Sequence, residues 1–264
     1  MFEAFSLMDD FQKLIDIMAR LRAEGGCEWD RAQTHDTLRQ YLLEETHEVI
    51  DAIQKADSGL LCEELGDLLL QVLFHARIAE ENREFSIRDV ISSIVTKMVR
   101  RHPHVFGDAR ADTPEAVAIQ WERIKQTLEH KTGESIIDGI PDTFPALLKA
   151  VKMSKKVAGV GFDWANAEHV MEKVEEELAE LKDAMAQGRP DRIEHEIGDV
   201  FLSLANLARF LNLNPELSLM SANNRFEQRF REMEKLALKS GICIKEANME
   251  TLDGLWESAK KSCP

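Results

Sequence analysis

Apolar residues recur along this chain at helical spacing. Phe11, Leu14, Ile15, Met18 and Leu21 fall three and four apart, on one face of a helix that Glu24, Gly25 and Gly26 bring to an end. The same periodicity predicts helices over 41–55, 61–82, 87–101 and 115–129. Ser58-Gly59 marks the turn after the second helix, and Pro103 stops the fourth. Turn chemistry then dominates one stretch: Lys131-Thr132-Gly133-Glu134, Asp138-Gly139-Ile140-Pro141 and Pro145. A domain boundary is expected near residue 133, giving domains 1–133 and 134–264. Pro is rare at 7, Tyr occurs once, and β-branched runs are few, so the fold class expected is all-α.

The two halves repeat one another. Glu45-x-x-Glu48 matches Glu177-x-x-Glu180, and Glu64-x-x-Asp67 matches Glu196-x-x-Asp199, both 132 positions on. Trp29 matches Trp164 and Trp121 matches Trp256, each 135 on. Lys97 and Arg101 match Arg225 and Arg229, 128 on. This order of features over so long a period describes a duplicated domain rather than a solenoid.

Composition narrows the function. The 264 residues carry a formal net charge of −15, with 44% hydrophobic and 31% charged. The hydrophobic fraction suits a globular core. The acidic balance argues against nucleic acid or an anionic membrane as partner, because both need a positive footprint. The most apolar run, LGDLLLQVLFHARIA, is too short and too polar to span a bilayer. Cys27, Cys62, Cys243 and Cys263 are scattered, as reduced cytoplasmic thiols would be. The N-terminal MFEAFSLMDDF has no basic stretch of the kind that opens a signal peptide.

The chemistry lies in the repeated acids. Residues three apart share a helix face. Glu45 and Glu48 therefore project together, as do Glu64 and Asp67 from the next helix; Glu177, Glu180, Glu196 and Asp199 repeat the arrangement. Apolar neighbours surround each pair. Two unit charges about 5 Å apart repel by roughly 3 kcal/mol at an effective dielectric near 20. Four such groups call for protonation or a cation, and all-oxygen ligands suit Mg²⁺, with Mn²⁺ as a substitute. A single E-x-x-E is an ordinary solvated face; the paired motif, occurring twice, is not. Gly66 and Gly198 stand beside the acids although mid-helix Gly costs about 1 kcal/mol relative to Ala. Close approach of another helix or a ligand would explain both. A di-iron bundle fits poorly, since Glu44-x-x-His47 occurs once and its match is Glu176-x-x-Ala179.

Basic residues supply the complement. Lys97 and Arg101 share a helix face, as do Arg225 and Arg229; Trp121 with Lys125 and Trp256 with Lys260 are also four apart. Arg forks and Lys point charges suit phosphate oxygens, and a Trp face can stack on a base. His102-Pro103-His104 has no counterpart in the second half and reads as a structural turn.

CEWDRAQTHDTLRQYLLEETHEVIDAI, LCEELGDLLLQVLFHARIAEE and RRHPHVFGD closely resemble the first half of tandem MazG proteins. GVGFDW, EEELAEL, EIGDVFLSLANLAR and ANNRFEQRF resemble the second half, so the likeness covers nearly the whole chain. The resemblance implies an all-α homodimer whose helices pack across a two-fold axis. It also implies Mg²⁺-dependent hydrolysis of nucleoside triphosphates to monophosphate and pyrophosphate. The family's metal ligands carry over to the eight acids above. Its nucleotide contacts carry over to Arg225, Arg229, Trp256 and Lys260, with Lys173 and Arg192 near the acids. Glu28 stands where the family usually has Pro, and Arg225 where Lys is usual.

In the mechanism expected, the carboxylates hold the metal ion and a spare carboxylate, Glu44 or Glu176, positions or deprotonates the attacking water. Trp256 holds the base without reading it, which implies broad base tolerance. The alternative is a non-catalytic acidic helical regulator that binds nucleotides or a partner protein.

Overall fold

The computed structural model describes residues 7–114, 116–117, 119–121, 124 and 135–263. Among them there are helices and no strands. The chain divides into two compact units, Met1–Glu129 and His130–Pro264. The expected boundary at 133 and most of the expected helix 115–129, Lys125 included, lie outside the described residues.

The first unit contains α1 (Leu7–Arg22), α2 (Glu28–Ala32), α3 (Arg39–Lys55), α4 (Ser58–Glu81), α5 (Ile87–Arg101) and α6 (Pro103–Phe106). α1 ends for the reason its glycines suggest. Gly25 takes the left-handed region at φ 72°, and a Cβ on Gly26 would lie 2.3 Å from the Leu21 carbonyl oxygen. The turn between α3 and α4 comes two residues earlier than expected. Ser58 and Gly59 are already helical, because Asp57 caps α4 by accepting from the backbone N–H of Gly59 at 3.0 Å and of Leu60 at 3.1 Å. Pro103 begins a short helix at its first position, where a missing N–H costs nothing.

α3 and α4 pack as a hairpin, and α1 lies against α4. Met18, Leu38, Phe74 and Ile78 form the core, with Tyr41 and Leu70 against it. Arg22 ties the layers together. Its guanidinium lies 5.5 Å above the Phe74 ring, donates to both Glu81 oxygens, and donates to the carbonyls of Asp30 and Gln33. Burial works to raise the Glu81 carboxyl, but hydrogen bonds from Arg22 and Arg77 outweigh it and hold the group below its ordinary range.

The second unit contains α7 (Ala146–Ala158), α8 (Ala167–Gln187), α9 (Pro190–Phe210), α10 (Pro215–Lys239) and α11 (Met249–Ser262). α8 and α9 form the counterpart hairpin, α7 packs on α9, and α11 packs on α10. Small residues let the helices approach: Ala150, Val151 and Ala205 form one cluster, and Ala184, Ala237 and Ala259 are also buried. Asn166 caps α8, Asn214 caps α10 and Asn248 caps α11.

Both hairpins turn on one left-handed residue at matched positions: Ala56 at φ 52° and Gly188 at φ 63°. Ala carries a Cβ penalty there that Gly does not. Ala56→Gly is therefore expected to stabilise the first unit by about 0.5–1 kcal/mol, net of the added freedom of the unfolded chain. The check is a urea denaturation midpoint that moves upward; an unchanged or lower midpoint would mean that the turn is unstrained.

Candidate metal centre and adjoining cavity

The hairpins bring the predicted acids together. In the first unit, one oxygen each of Glu45, Glu48 and Glu64 lie within 4.8 Å of one another. In the second, Glu177, Glu180 and Glu196 do the same. The two clusters differ in depth. Glu45 and Glu64 are half-buried, whereas Glu177 is 6% exposed and Glu196 4%.

Repulsion is visible in the first cluster. The Glu45 carboxyl is pushed above its ordinary range by burial and by the charges of Asp67, Glu48 and Glu64. Glu64 is pushed up by burial and by Glu48 and Asp67. Asp67 therefore belongs to the same field, although it is not in the close triad. In the second cluster Lys173 intervenes: its Nζ lies 2.8 Å from both Glu176 Oε1 and Glu177 Oε1. Hydrogen bonds to Glu176 and then Glu177 hold this ammonium above the ordinary lysine range. Arg192 reaches Glu196 at 3.5 Å, and His195 Nε2 lies 3.2 Å from Asp199 Oδ2.

A hard divalent cation fits either triad. The donors are carboxylate oxygens on two rigid helices, and their mutual repulsion is what a cation relieves. Glu44 and Glu176 are exposed beside the clusters, Glu176 engaged by Lys173.

The phosphate and base contacts expected from sequence divide differently. Lys173 and Arg192 stand at the acids. Arg225 instead donates to Ser221 Oγ at 3.0 Å, Arg229 to the Cys263 carbonyl at 2.9 Å, and Lys260 pairs with Glu257 at 2.7 Å. Trp256 packs on Phe226 with ring centroids 5.3 Å apart. In the first unit Arg101 lies over Trp121 at 5.3 Å, and Lys97 sits one turn earlier on α5. Each unit thus packs its tryptophan against the helix that carries its basic pair.

Beside the second cluster is a cavity of about 410 Å³. Lys173, Glu177 and Asp199 line it, together with Val157, Phe162, Trp164, Val170, Leu202, Ser203 and Asn206. None of Arg225, Arg229, Trp256 and Lys260 is among its described lining residues. Its frame is a relay. Arg209 donates to both Asp163 carboxylate oxygens, and its Nε donates to Asn206 Oδ1 at 2.8 Å. The Asp163 carboxyl is held below its ordinary range, first by the Arg209 hydrogen bond. Sequence reasoning missed this relay. Its signal was Arg209, which matches Arg77 at the same 132-residue spacing as the acids.

Comparison with known proteins agrees with the repeat. The model of the MazG nucleotide pyrophosphohydrolase domain matches residues 33–106 and again 165–235. The chain belongs to the MazG family. Similar relatives include "Nucleoside triphosphate pyrophosphohydrolase/pyrophosphatase MazG" of Thermotoga maritima, 47% identical over 95% of both chains. "Nucleoside triphosphate pyrophosphohydrolase" of Escherichia coli K12 is 42% identical over 96% of this chain and 98% of its own. "Uncharacterized protein YabN" of Bacillus subtilis is 41% identical over 97% of this chain and 53% of its own. Each MazG match spans one carboxylate hairpin, so both halves of the family signature coincide with a cluster of acids.

The raised carboxyls give a pH-dependent expectation. Without metal, the part of stability linked to Glu45 and Glu64 is present below their ordinary 4.5 and is lost as pH rises through their raised values. A bound cation offsets that loss. Magnesium at a hundredfold excess over its dissociation constant would stabilise the folded chain by about 2.7 kcal/mol. The thermal midpoint should therefore rise by several degrees at pH 7.5, with a smaller rise at pH 5, where protons compete with the metal. Scanning calorimetry at both pH values checks this; an equal rise at both would remove the carboxylates from the explanation.

Proposed function

We propose that this protein hydrolyses nucleoside triphosphates to the monophosphate and pyrophosphate, with Mg²⁺ as its metal. The observation that carries this reading is the second unit's carboxylate triad, with Glu177 and Glu196 buried, which adjoins an open cavity that Glu177 and Lys173 line. The names of the relatives that match along the whole chain point the same way.

Glu177, Glu180, Glu196 and Asp199 would hold the ion in the second unit, and Glu45, Glu48, Glu64 and Asp67 in the first. The ion supplies charge neutralisation at the phosphates and a more acidic bound water. The chain's own groups do the rest. Lys173 is a fixed cation at the acids, available to phosphate oxygens if it exchanges one carboxylate for them. Release of Glu176 from that pair frees a carboxylate to accept a proton from the attacking water. The water oxygen bonds to the α-phosphorus, the bond from that phosphorus to the α,β-bridging oxygen breaks, and pyrophosphate leaves. In the first unit Glu44 stands in the place of Glu176. Arg192 lies at the acids, while Arg225, Arg229 and Lys260 would reach phosphate, and Trp256 the base, only from another chain or after movement of α10 and α11. Lys97, Arg101, Trp121 and Lys125 are the matching set in the first unit. The cavity walls are mostly apolar, so several bases should be accepted.

A homodimer is part of this proposal. Leu65, Leu69 and Val72 on α4 form an exposed apolar stripe, and Ile197, Phe201 and Leu204 repeat it on α9. Beside each stripe stands Gly66 or Gly198, where an added Cβ would meet nothing within 4 Å. The chain's own helices therefore do not explain these glycines, and a second copy packing on the stripes would. Burying such faces is the usual driving force for helical dimers. Sedimentation should give twice the chain mass, and Phe201→Glu with Leu204→Glu should shift it toward the monomer. A wild-type monomer at micromolar concentration would end this part of the reading.

One observation favours a second role for the first unit. Phe74, 3% exposed, occupies the position that matches Asn206 of the cavity. The first unit is filled where the second is open, which suits regulation or assembly rather than turnover. Glu177→Gln should lower release of monophosphate and pyrophosphate by at least about 100-fold. Glu45→Gln should lower it much less. Ion-exchange separation of the products from each common nucleoside triphosphate measures both. Diphosphate with orthophosphate as products, or full activity in Glu177→Gln, would overturn the assignment.

A further inference from the structure

We infer that the 410 Å³ cavity of the second unit takes the nucleobase, and that Asn206 reads it, favouring bases with a carbonyl oxygen at the position where adenine and cytosine carry an amino group. This inference rests on the proposed substrate class and adds which part of the molecule selects among its members.

Position is the first argument. Glu177 and its ion-pair partner Lys173 belong both to the acid site and to the cavity lining, which Asp199 also joins. A triphosphate held at the acids keeps its nucleoside within one ribose of them, and the cavity adjoins them directly. Its volume falls in the range of about 300–1,000 Å³ typical of small-molecule sites. Phe162 and Trp164 line it while remaining exposed, so two aromatic faces are available for stacking.

The duplication supplies the second argument. Where the second unit has Ser203 and Asn206, the first has Gln71 and Phe74, 132 positions earlier; where it has Val157, the first has Arg22, 135 earlier. Gln71 and Phe74 are buried, and the Arg22 side chain is 7% exposed, stacked over Phe74. Three large side chains fill the first unit, and three smaller ones leave the same place open in the second. One of the three, Asn206, adds a polar group to an otherwise shortened wall.

The third argument is the state of that group. An arginine can only donate, so the 2.8 Å contact from Arg209 Nε fixes Oδ1 as the atom it meets and settles the orientation of the amide. Asp163 holds Arg209 from the other side. Among the described residues Asn206 Nδ2 has no partner, so the side chain offers donors. The carbonyl oxygen at C4 of uracil or thymine, or at C6 of guanine or hypoxanthine, accepts from it. At that position adenine and cytosine carry an exocyclic amino group, which would set donor against donor. The preference is graded, about tenfold, and overlies general tolerance.

The test is equilibrium binding of α,β-methylene analogues of UTP, GTP, ATP and CTP to the full chain with Mg²⁺, by titration calorimetry. The UTP and GTP analogues should bind about tenfold more tightly than the other two. Asn206→Leu should erase that difference. Asn206→Asp keeps the size and the Arg209 contact while replacing the donor with an acceptor, and it should shift the preference toward ATP and CTP. Equal binding of all four to the wild type, no binding of any, or a uniform loss in both variants would overturn the inference. Product analysis with UTP on the same preparation separates the two claims. Base-dependent binding without pyrophosphate release would sink the reaction and keep the cavity; release with base-blind binding would do the reverse.

Discussion

Both units are organised around the cost of holding several carboxylates together on two packed helices. Charges of one sign within 4.8 Å oppose one another, and burial strengthens the opposition. The hairpin withstands this because its frame is fixed elsewhere. A two-residue turn sets the register of its helices, and small or well-packed side chains below the acids hold them close. In the first unit the cost remains visible as carboxyls displaced upward. In the second, where the acids lie deeper, Lys173 has been placed against two of them. The deeper cluster thus carries an internal counter-charge, and the shallower one shows none among the described residues.

Duplication explains why one chain contains two such clusters with unlike surroundings. Each unit uses an arginine to join the segment before the hairpin to the second hairpin helix: Arg22 to Glu81 in the first, Arg209 to Asp163 in the second. The clamps are similar in chemistry but originate from different helices. Arg22 comes from α1 and brings its own bulk into the core above Phe74. Arg209 comes from the hairpin helix itself, so the corresponding space is not occupied by the clamp. A change in which helix supplies the arginine, with smaller residues at Ser203 and Asn206, suffices to turn a filled core into a cavity.

Much of this was legible from sequence, and the parts that were not share a cause. Helix 87–101 matched to the residue, because Ser86 and Asp89 form a local capping box and two arginines end the helix. The acid clusters were legible because i, i+3 spacing survives folding unchanged. The turn at Ala56 was misplaced by two residues: Asp57 acts as the cap, and Ser58-Gly59, with stronger turn statistics, are absorbed into the helix. The cavity was invisible because it depends on Asp163, Arg209 and Asn206, which meet only after α9 folds back to the loop before α8. No periodicity encodes such a meeting. The repeat does encode it indirectly, since Gln71 and Phe74 against Ser203 and Asn206 can be read from the alignment of the halves.

The placement of the basic residues adds a last step. Within one chain, Arg225, Arg229 and Lys260 are satisfied by Ser221, the Cys263 carbonyl and Glu257 rather than by the acids. The Arg225 and Lys260 partners are local and exposed, and exposed pairs contribute little, so exchanging them for phosphate oxygens costs little; the Arg229 bond to Cys263 is half-buried and is held more firmly. Lys173, by contrast, is engaged by two carboxylates, one of them buried. A nucleotide entering the second unit would therefore meet a tightly held cation at the acids and loosely held ones on α10 and α11. Such an order favours selection by the cavity first and closure of the outer cations afterwards, because the groups that must move are the ones that give up least.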